Sequence, residues 1–248
     1  MEKAVKKGRK AAVIIIAAVS VFVLGGFAAY ELIWGYTGRL INAEAKLKYW
    51  KDRGFAEGEI LLAGSSFIEY WETSEADLQP LVTYNVGVAG TVVSDWDKYV
   101  DKLITPFRPR AILLYVGSND IHGGVGSKKG ETVAGEVEKL FEKIHQKLPG
   151  TAIYYISIAP TPLRKNVWAE ADKSNKLVAA YCAERFYLNF FDCTAALLNE
   201  DGGLKTEIYR SDRLHFNEKG YAIWTDVIAP VLISVILDDH ACGSNAEL

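Results

Sequence analysis

The sequence predicts an α/β domain built on a five-stranded parallel sheet and preceded by a membrane-spanning helix. Three observations lead there. Five short apolar runs, Glu59–Gly64, Val82–Val88, Ala111–Val116, Ala152–Ile158 and Phe186–Phe191, alternate with stretches of helical pattern. The runs are apolar almost throughout and not at every second residue, as strands are when helices cover both faces of a parallel sheet. Ahead of them, Ala11 to Tyr30 is twenty residues without a charge, about 30 Å as a helix and so the thickness of a bilayer core.

The elements follow in chain order. Residues 1–10 hold Lys3, Lys6, Lys7, Arg9 and Lys10 against Glu2, a basic cluster that the positive-inside rule keeps cytoplasmic. Residues 11–34 then form the anchor, with Tyr30, Trp34 and Tyr36 as an interfacial aromatic belt, and everything beyond lies outside the cell. The alternative is a secreted protein cleaved at the small-x-small stretch Gly26-Phe27-Ala28, but the apolar run exceeds the usual core of a signal peptide. Residues 35–58 read as a juxtamembrane stalk whose helix, Leu40 to Arg53, ends at Gly54 and folds onto the domain. The domain proper spans 59–238. Its helical stretches are Glu72–Leu78, Ser94–Leu103, Glu131–Leu148, Val167–Arg185 and Glu218–Leu237, and residues 239–248 form a loose polar tail.

Composition narrows the function classes. Half of the 248 residues are hydrophobic, enough for one well-buried domain and an appendage. The formal net charge is −3, and removing the +4 of residues 1–10 leaves about −7 for the rest, which argues against nucleic acid as a partner. Cys182, Cys193 and Cys242 have no metal-ligand spacing, and a Cys182–Cys193 bridge stays open. The two buried-looking cysteines read best as small core hydrophobes. Gly123–Gly130 is glycine-rich but lacks the spacing of a phosphate loop.

Chemistry concentrates at strand ends, where open α/β sheets bind ligands. The first run, Ile60-Leu61-Leu62-Ala63, stops at Gly64-Ser65-Ser66, and Ser66 is the candidate nucleophile, with Ser65 as the lesser choice. A serine needs a base, and the base a group that holds its tautomer. Asp212-Arg213-Leu214-His215 supplies both: Asp212 can fold back onto Nδ1 and leave Nε2 free. The intermediate's oxyanion needs donors, for which Gly90 offers a backbone N–H and Asn119 an amide. His122 is a candidate substrate contact, and Trp71 and Trp168 candidate pocket walls.

In these blocks the chain resembles the SGNH or GDSL-type hydrolases. Gly64-Ser65-Ser66, Gly90 within Asn85–Thr91, Gly117-x-Asn119-Asp120 and Asp212-x-x-His215 stand in that family's order. Ser in place of the usual Asp at 65, with Trp71 following, resembles the branch related to platelet-activating-factor acetylhydrolases. The resemblance implies a flavodoxin-like three-layer α/β/α fold and an esterase or lipase with no cofactor and no metal. Ser66 would be the nucleophile, His215 the base and Asp212 its orienter, with the Ser66 N–H, Gly90 N–H and Asn119 side chain as the oxyanion hole. The expected protein is a membrane-anchored extracytoplasmic esterase acting on a short acyl ester, acetyl first, of a glycan or lipid. A catalytically silent carbohydrate-binding module on the same fold is the alternative.

Overall fold

The structure, a computed structural model, describes residues 36–243, with side chains described from Thr37 to Ile236. The basic segment 1–10 and the membrane-spanning segment expected at 11–34 lie outside the described residues. In chain order the elements are α1 (Tyr36–Arg53), β1 (Ile60–Gly64), α2 (Ser66–Glu69), α3 (Ser74–Asp77), β2 (Thr83–Asn85), α4 (Val93–Tyr99), β3 (Ala111–Tyr115), α5 (Gly130–Lys147), β4 (Ala152–Ile156), α6 (Trp168–Ala183), β5 (Leu188–Phe191) and α7 (Glu218–Gly243). The five strands form one parallel sheet in the order β2-β1-β3-β4-β5.

Side chains alternate across that sheet. Ile60, Leu62, Leu113, Tyr115, Tyr154 and Ile156 share one core with Phe67, Trp71 and the α7 residues Trp224, Ile228 and Leu232. Leu61, Ala63, Ile112, Leu114, Ile153 and Tyr155 are buried on the other face, where Phe141 of α5 meets Tyr155 edge-on. Both faces being covered is why the strands read as unbroken apolar runs. The stretch Glu218–Ile236 of α7 is itself long and apolar enough to cross a membrane, with a mean hydropathy of 1.4. Its fully buried Trp224, Ile228 and Leu232 account for that apolarity as core.

Chain packing divides at Asn42/Ala43, within α1. Of the first unit only residues 36–42, the opening turns of α1, are described. The second unit begins at Ala43 and holds the sheet. Residues 43–53, read from sequence as the end of a stalk, belong to it: the Trp50 indole donates to the Asn85 carbonyl at 3.0 Å, covering the edge beside β2.

Several boundaries differ from the sequence reading, each for a local reason. The second strand is Thr83–Asn85 and not Val82–Val88. The Asn85 side chain donates to the Ile68 carbonyl at 2.7 Å and accepts the Gly87 N–H at 2.9 Å, so the regular strand ends there although the Val86 and Val88 N–H groups still reach β1 carbonyls. Glu72–Leu78 is not one helix, since α2 starts earlier and α3 is a separate turn. After α4 the chain passes through a π turn, Val100–Ile104, and a 3-10 turn, Thr105–Phe107. At the other end α7 runs on to Gly243, so residues 239–243 are helical where a loose tail was expected.

The strand order positions the site. From β1 the chain goes to β2 on one side and then to β3 on the other, which leaves a crevice at the carboxyl ends of β1 and β3, the switch point where such sheets bind ligands.

Candidate active site

Ser66 stands at that crevice because β1 turns into α2 with a single residue between. Gly64 makes the turn at φ +144°, and a Cβ there would lie 2.1 Å from the Tyr115 carbonyl oxygen, so only glycine fits. The Ser65 N–H donates to the same carbonyl at 2.9 Å, and Ser66 becomes the first residue of α2. Of the two adjacent hydroxyls, that of Ser66 meets His215, with Nε2 2.9 Å from Oγ. Ser65 is fully buried, and its Oγ has no hydrogen-bond partner.

The Asp212–His215 loop supplies the other two members. Asp212 Oδ2 lies 2.7 Å from His215 Nδ1, while Oδ1 accepts the Leu214 and His215 N–H groups at 2.9 and 3.0 Å. Partial burial pushes the Asp212 carboxyl up, but the ring and backbone donors together outweigh it and hold it at about 2. An ionised carboxylate only accepts, so the proton sits on Nδ1 and Nε2 is left as the acceptor facing the serine. Tyr70 packs edge-on against the imidazole with ring centres 5.0 Å apart, and Phe67 lies at 5.6 Å.

The second half of the site surrounds Asn119. Its Nδ2 donates to the Thr91 carbonyl at 3.0 Å, and its Oδ1 accepts Arg164 at 2.8 Å. Arg164 also donates to the Ser118 carbonyl at 2.7 Å. A guanidinium has no acceptor, so it decides which end of the amide faces it. One Nδ2 hydrogen is therefore held by Thr91 and the other is available. Burial pushes the Arg164 pKa down. Gly90, at φ +75°, precedes Thr91, whose hydroxyl accepts the Trp96 indole at 2.9 Å. Among the described residues, no protein acceptor is assigned to the Ser66 or Gly90 N–H.

The two halves are joined through α2. The Ala89 N–H donates to Glu69 Oε2 at 2.6 Å, and Gly87 packs so closely that a Cβ would lie 2.4 Å from the Glu69 nitrogen. Ser66, His215 and Asp212 are thus linked directly, while Gly90 and Asn119 are joined to each other at Thr91.

Other residues singled out from sequence have different places. Trp71 is not a pocket wall: it is fully buried, stacks on Tyr221 and donates to Asp77. His122 is exposed, and its Nδ1 accepts the Gly124 N–H at 3.0 Å, shaping its own loop. That loop is moored by Lys128, which reaches Asp120 at 2.8 Å and Glu136 at 2.5 Å. Trp168 is half-buried and lines a groove. Cys182 and Cys193 are free and buried, each thiol pushed up to about 12 by burial. Among the described residues no three His, Cys, Asp or Glu side chains are placed to hold a metal ion. Sequence reasoning missed Arg164, Glu69 and Gly87. For Arg164 there was no signal, since it stands 45 positions from its partner in a stretch read only as loop.

The chain matches the GDSL-like Lipase/Acylhydrolase family over residues 61–223, well over half its length. It belongs to that family. Ser66, Gly90, Asn119, Arg164, Asp212 and His215 all fall within the match, which makes the chain an esterase or acylhydrolase by family. A curated relative, an N-acylneuraminate cytidylyltransferase of Escherichia coli O18:K1:H7, is 26% identical over 179 residues, which are 70% of this chain and 40% of the relative. The chain therefore spans two fifths of that protein's length. Among solved structures, one from Streptococcus pneumonia described as a candidate platelet activating factor superposes with a TM-score of 0.71 at 20% identity, covering 84% of this chain and 99% of that one. A carbohydrate esterase family 3 protein of Talaromyces cellulolyticus gives 0.56 at 18% identity, covering 74% and 99%. At such identities these establish the GDSL-type fold.

Proposed function

We propose that this GDSL-family chain is a membrane-anchored, extracytoplasmic serine esterase that removes a short acyl group, acetyl first, from a glycan. The observation that carries the chemistry is the continuous hydrogen-bonded line from Ser66 Oγ through His215 to Asp212. In the reaction, Ser66 Oγ attacks the ester carbonyl as its proton passes to His215 Nε2. The oxyanion takes up the Ser66 N–H, the Gly90 N–H and the free Asn119 amide hydrogen, worth about 3–4 kcal/mol for one such donor. Collapse expels the alcohol, which leaves with the proton from Nε2 and yields a Ser66 acyl ester. Water, deprotonated by the same imidazole, then releases the acid and restores the serine.

Two observations favour a small acyl group on a sugar. The cavity next to the site, walled by Phe67 and Ser118, the chain neighbours of Ser66 and Asn119, with Ile121 and Arg164, measures about 10 Å³, room for about one water molecule and none for a long acyl chain. The carbohydrate esterase among the structural neighbours supports a sugar as the alcohol. The location rests on the uncharged run 11–30 behind a basic cluster.

The test compares p-nitrophenyl acetate with p-nitrophenyl octanoate, using the chain and its Ser66→Ala variant. Acetate hydrolysis that disappears in the variant, together with fluorophosphonate labelling of Ser66, is the expected result. Preference for octanoate would redirect the reading to lipid, and labelling that survives Ser66→Ala would remove the nucleophile.

A further inference from the structure

Beside the Asp212–His215 loop lies a groove of about 500 Å³ that acyl transfer itself does not use. It adjoins the site through its lining: Arg213 stands between Asp212 and His215 in the chain, and Lys165 follows Arg164, which holds Asn119. Its size is that of a small-molecule pocket. Its lining includes two cations, Lys165 and Arg213, and no acidic residue. Among the described residues neither cation pairs with a carboxylate.

Several lysines elsewhere are matched with acids: Lys143 with Asp97, Lys147 with Asp101, Lys176 with Asp172. Lys205 and Arg210 donate instead to the Ala196 and Phe216 carbonyls, as Arg164 does to Ser118. Lys165 and Arg213 thus bring positive charge to a concave surface, where low-dielectric walls focus the field.

Arg213 is also held with care. It sits at φ +60°, a left-handed conformation that a residue with a long side chain adopts only when its surroundings hold it there. Its carbonyl accepts the Leu163 N–H and its own N–H donates to Arg210, both at 2.9 Å. The first bond ties the two walls of the groove together. Trp168 adds an aromatic surface against which the apolar C–H face of a sugar ring can lie.

We infer that this groove receives the anionic portion of the ester's alcohol, a sugar bearing a fixed negative charge as carboxylate or sulfate, while its acetyl group is presented to Ser66. The inference rests on the esterase reading and specifies its substrate class.

The test uses the full chain and three esters: methyl 3-O-acetyl-galacturonoside, the matching 3-O-acetyl-galactoside, and its 6-sulfate. The quantity read is kcat/KM for each anionic ester divided by that for the neutral one, so that any defect in the chemistry cancels. The expected ratio is about 10 or more at low salt, shrinking at about 0.5 M salt as screening sets in. Lys165→Met and Arg213→Asn should each lower it several-fold, asparagine being chosen because it tolerates the left-handed backbone. A preference confined to one anion identifies that group as the one recognised. A ratio near one, or one that both variants leave unchanged, overturns the groove assignment, while fluorophosphonate labelling of Ser66 leaves the esterase reading standing. If Ser66 takes no label, the esterase reading fails on its own, and titrating the Ser66→Ala chain with methyl galacturonoside and methyl galactoside still reads the groove: preference for the acid sustains it and equal binding overturns it.

Discussion

The two halves of the site are held by different means. The imidazole half is local: Asp212 and His215 are three positions apart, and the carboxylate is fastened by N–H groups of its own loop. The amide half is assembled at a distance: Asn119 is fixed by Thr91, 28 positions before it, and by Arg164, 45 positions after it. A local arrangement leaves a spacing in the sequence, while a distant one leaves only its two ends. The halves also differ in what they hold. In the proposed reaction the first sets a tautomer, and the second aims a hydrogen at a charge that exists only in the transition state.

The largest effect should come from the local half. Asp212→Asn keeps an acceptor for the loop N–H groups but turns an NH₂ toward Nδ1, which forces the proton onto Nε2 and removes the base. A loss of about 10⁴ in kcat is expected, with the loop otherwise intact. The acid side of the pH–rate profile sharpens the same point. With its carboxyl held at about 2, Asp212 stays ionised across that range, so the carboxylate should add no second proton to the slope of kcat/KM. A two-proton slope would mean that the carboxylate titrates with the imidazole.

The same contrast explains what the sequence disclosed. The sheet was legible because β1 and β3 are covered on both faces and therefore apolar at every position. Ser66, Asp212 and His215 were legible because the turn at Gly64 and the Asp-x-x-His spacing are local. Glu69 and Gly87 escaped because their roles exist only where α2 and the loop after β2 touch, which no pattern along the chain records. The length of β2 was misjudged for a related reason. Val86 and Val88 still donate to β1 carbonyls, so their composition is that of a strand, although the regular strand ends at Asn85. Trp71 was misplaced because an aromatic after a strand end is equally apt for a core and for a pocket.

A middle-sized effect is expected at the amide. Asn119→Ala removes the donor and should lower kcat by about 10² to 10³ with KM little changed, as for a single oxyanion donor. An equal rise in KM would instead mean that Asn119 binds the ground-state ester, and the distinction between the two halves would fail.

The smallest effect, and the one that bears most directly on that distinction, belongs to Arg164. Its guanidinium is engaged by Asn119 Oδ1 and the Ser118 carbonyl and donates nothing to the ester in the proposed reaction, so it is a positioning residue. Arg164→Met leaves the Ser118 carbonyl and Asn119 Oδ1 without a donor in a largely buried place, a loss on the order of 1–3 kcal/mol, or about 10- to 100-fold if it falls on the transition state. Because the amide then has no fixed end, the loss should appear in kcat and not in KM. Arg164→Lys, with one compact ammonium in place of a planar fork, should recover part of it. Guanidinium chloride at low millimolar concentration should restore activity to the Met variant while leaving Asn119→Ala unaffected, since in the latter there is no amide to orient. Rescue of both variants alike, or of neither, would reduce Arg164 to a packing residue of the loop that carries it.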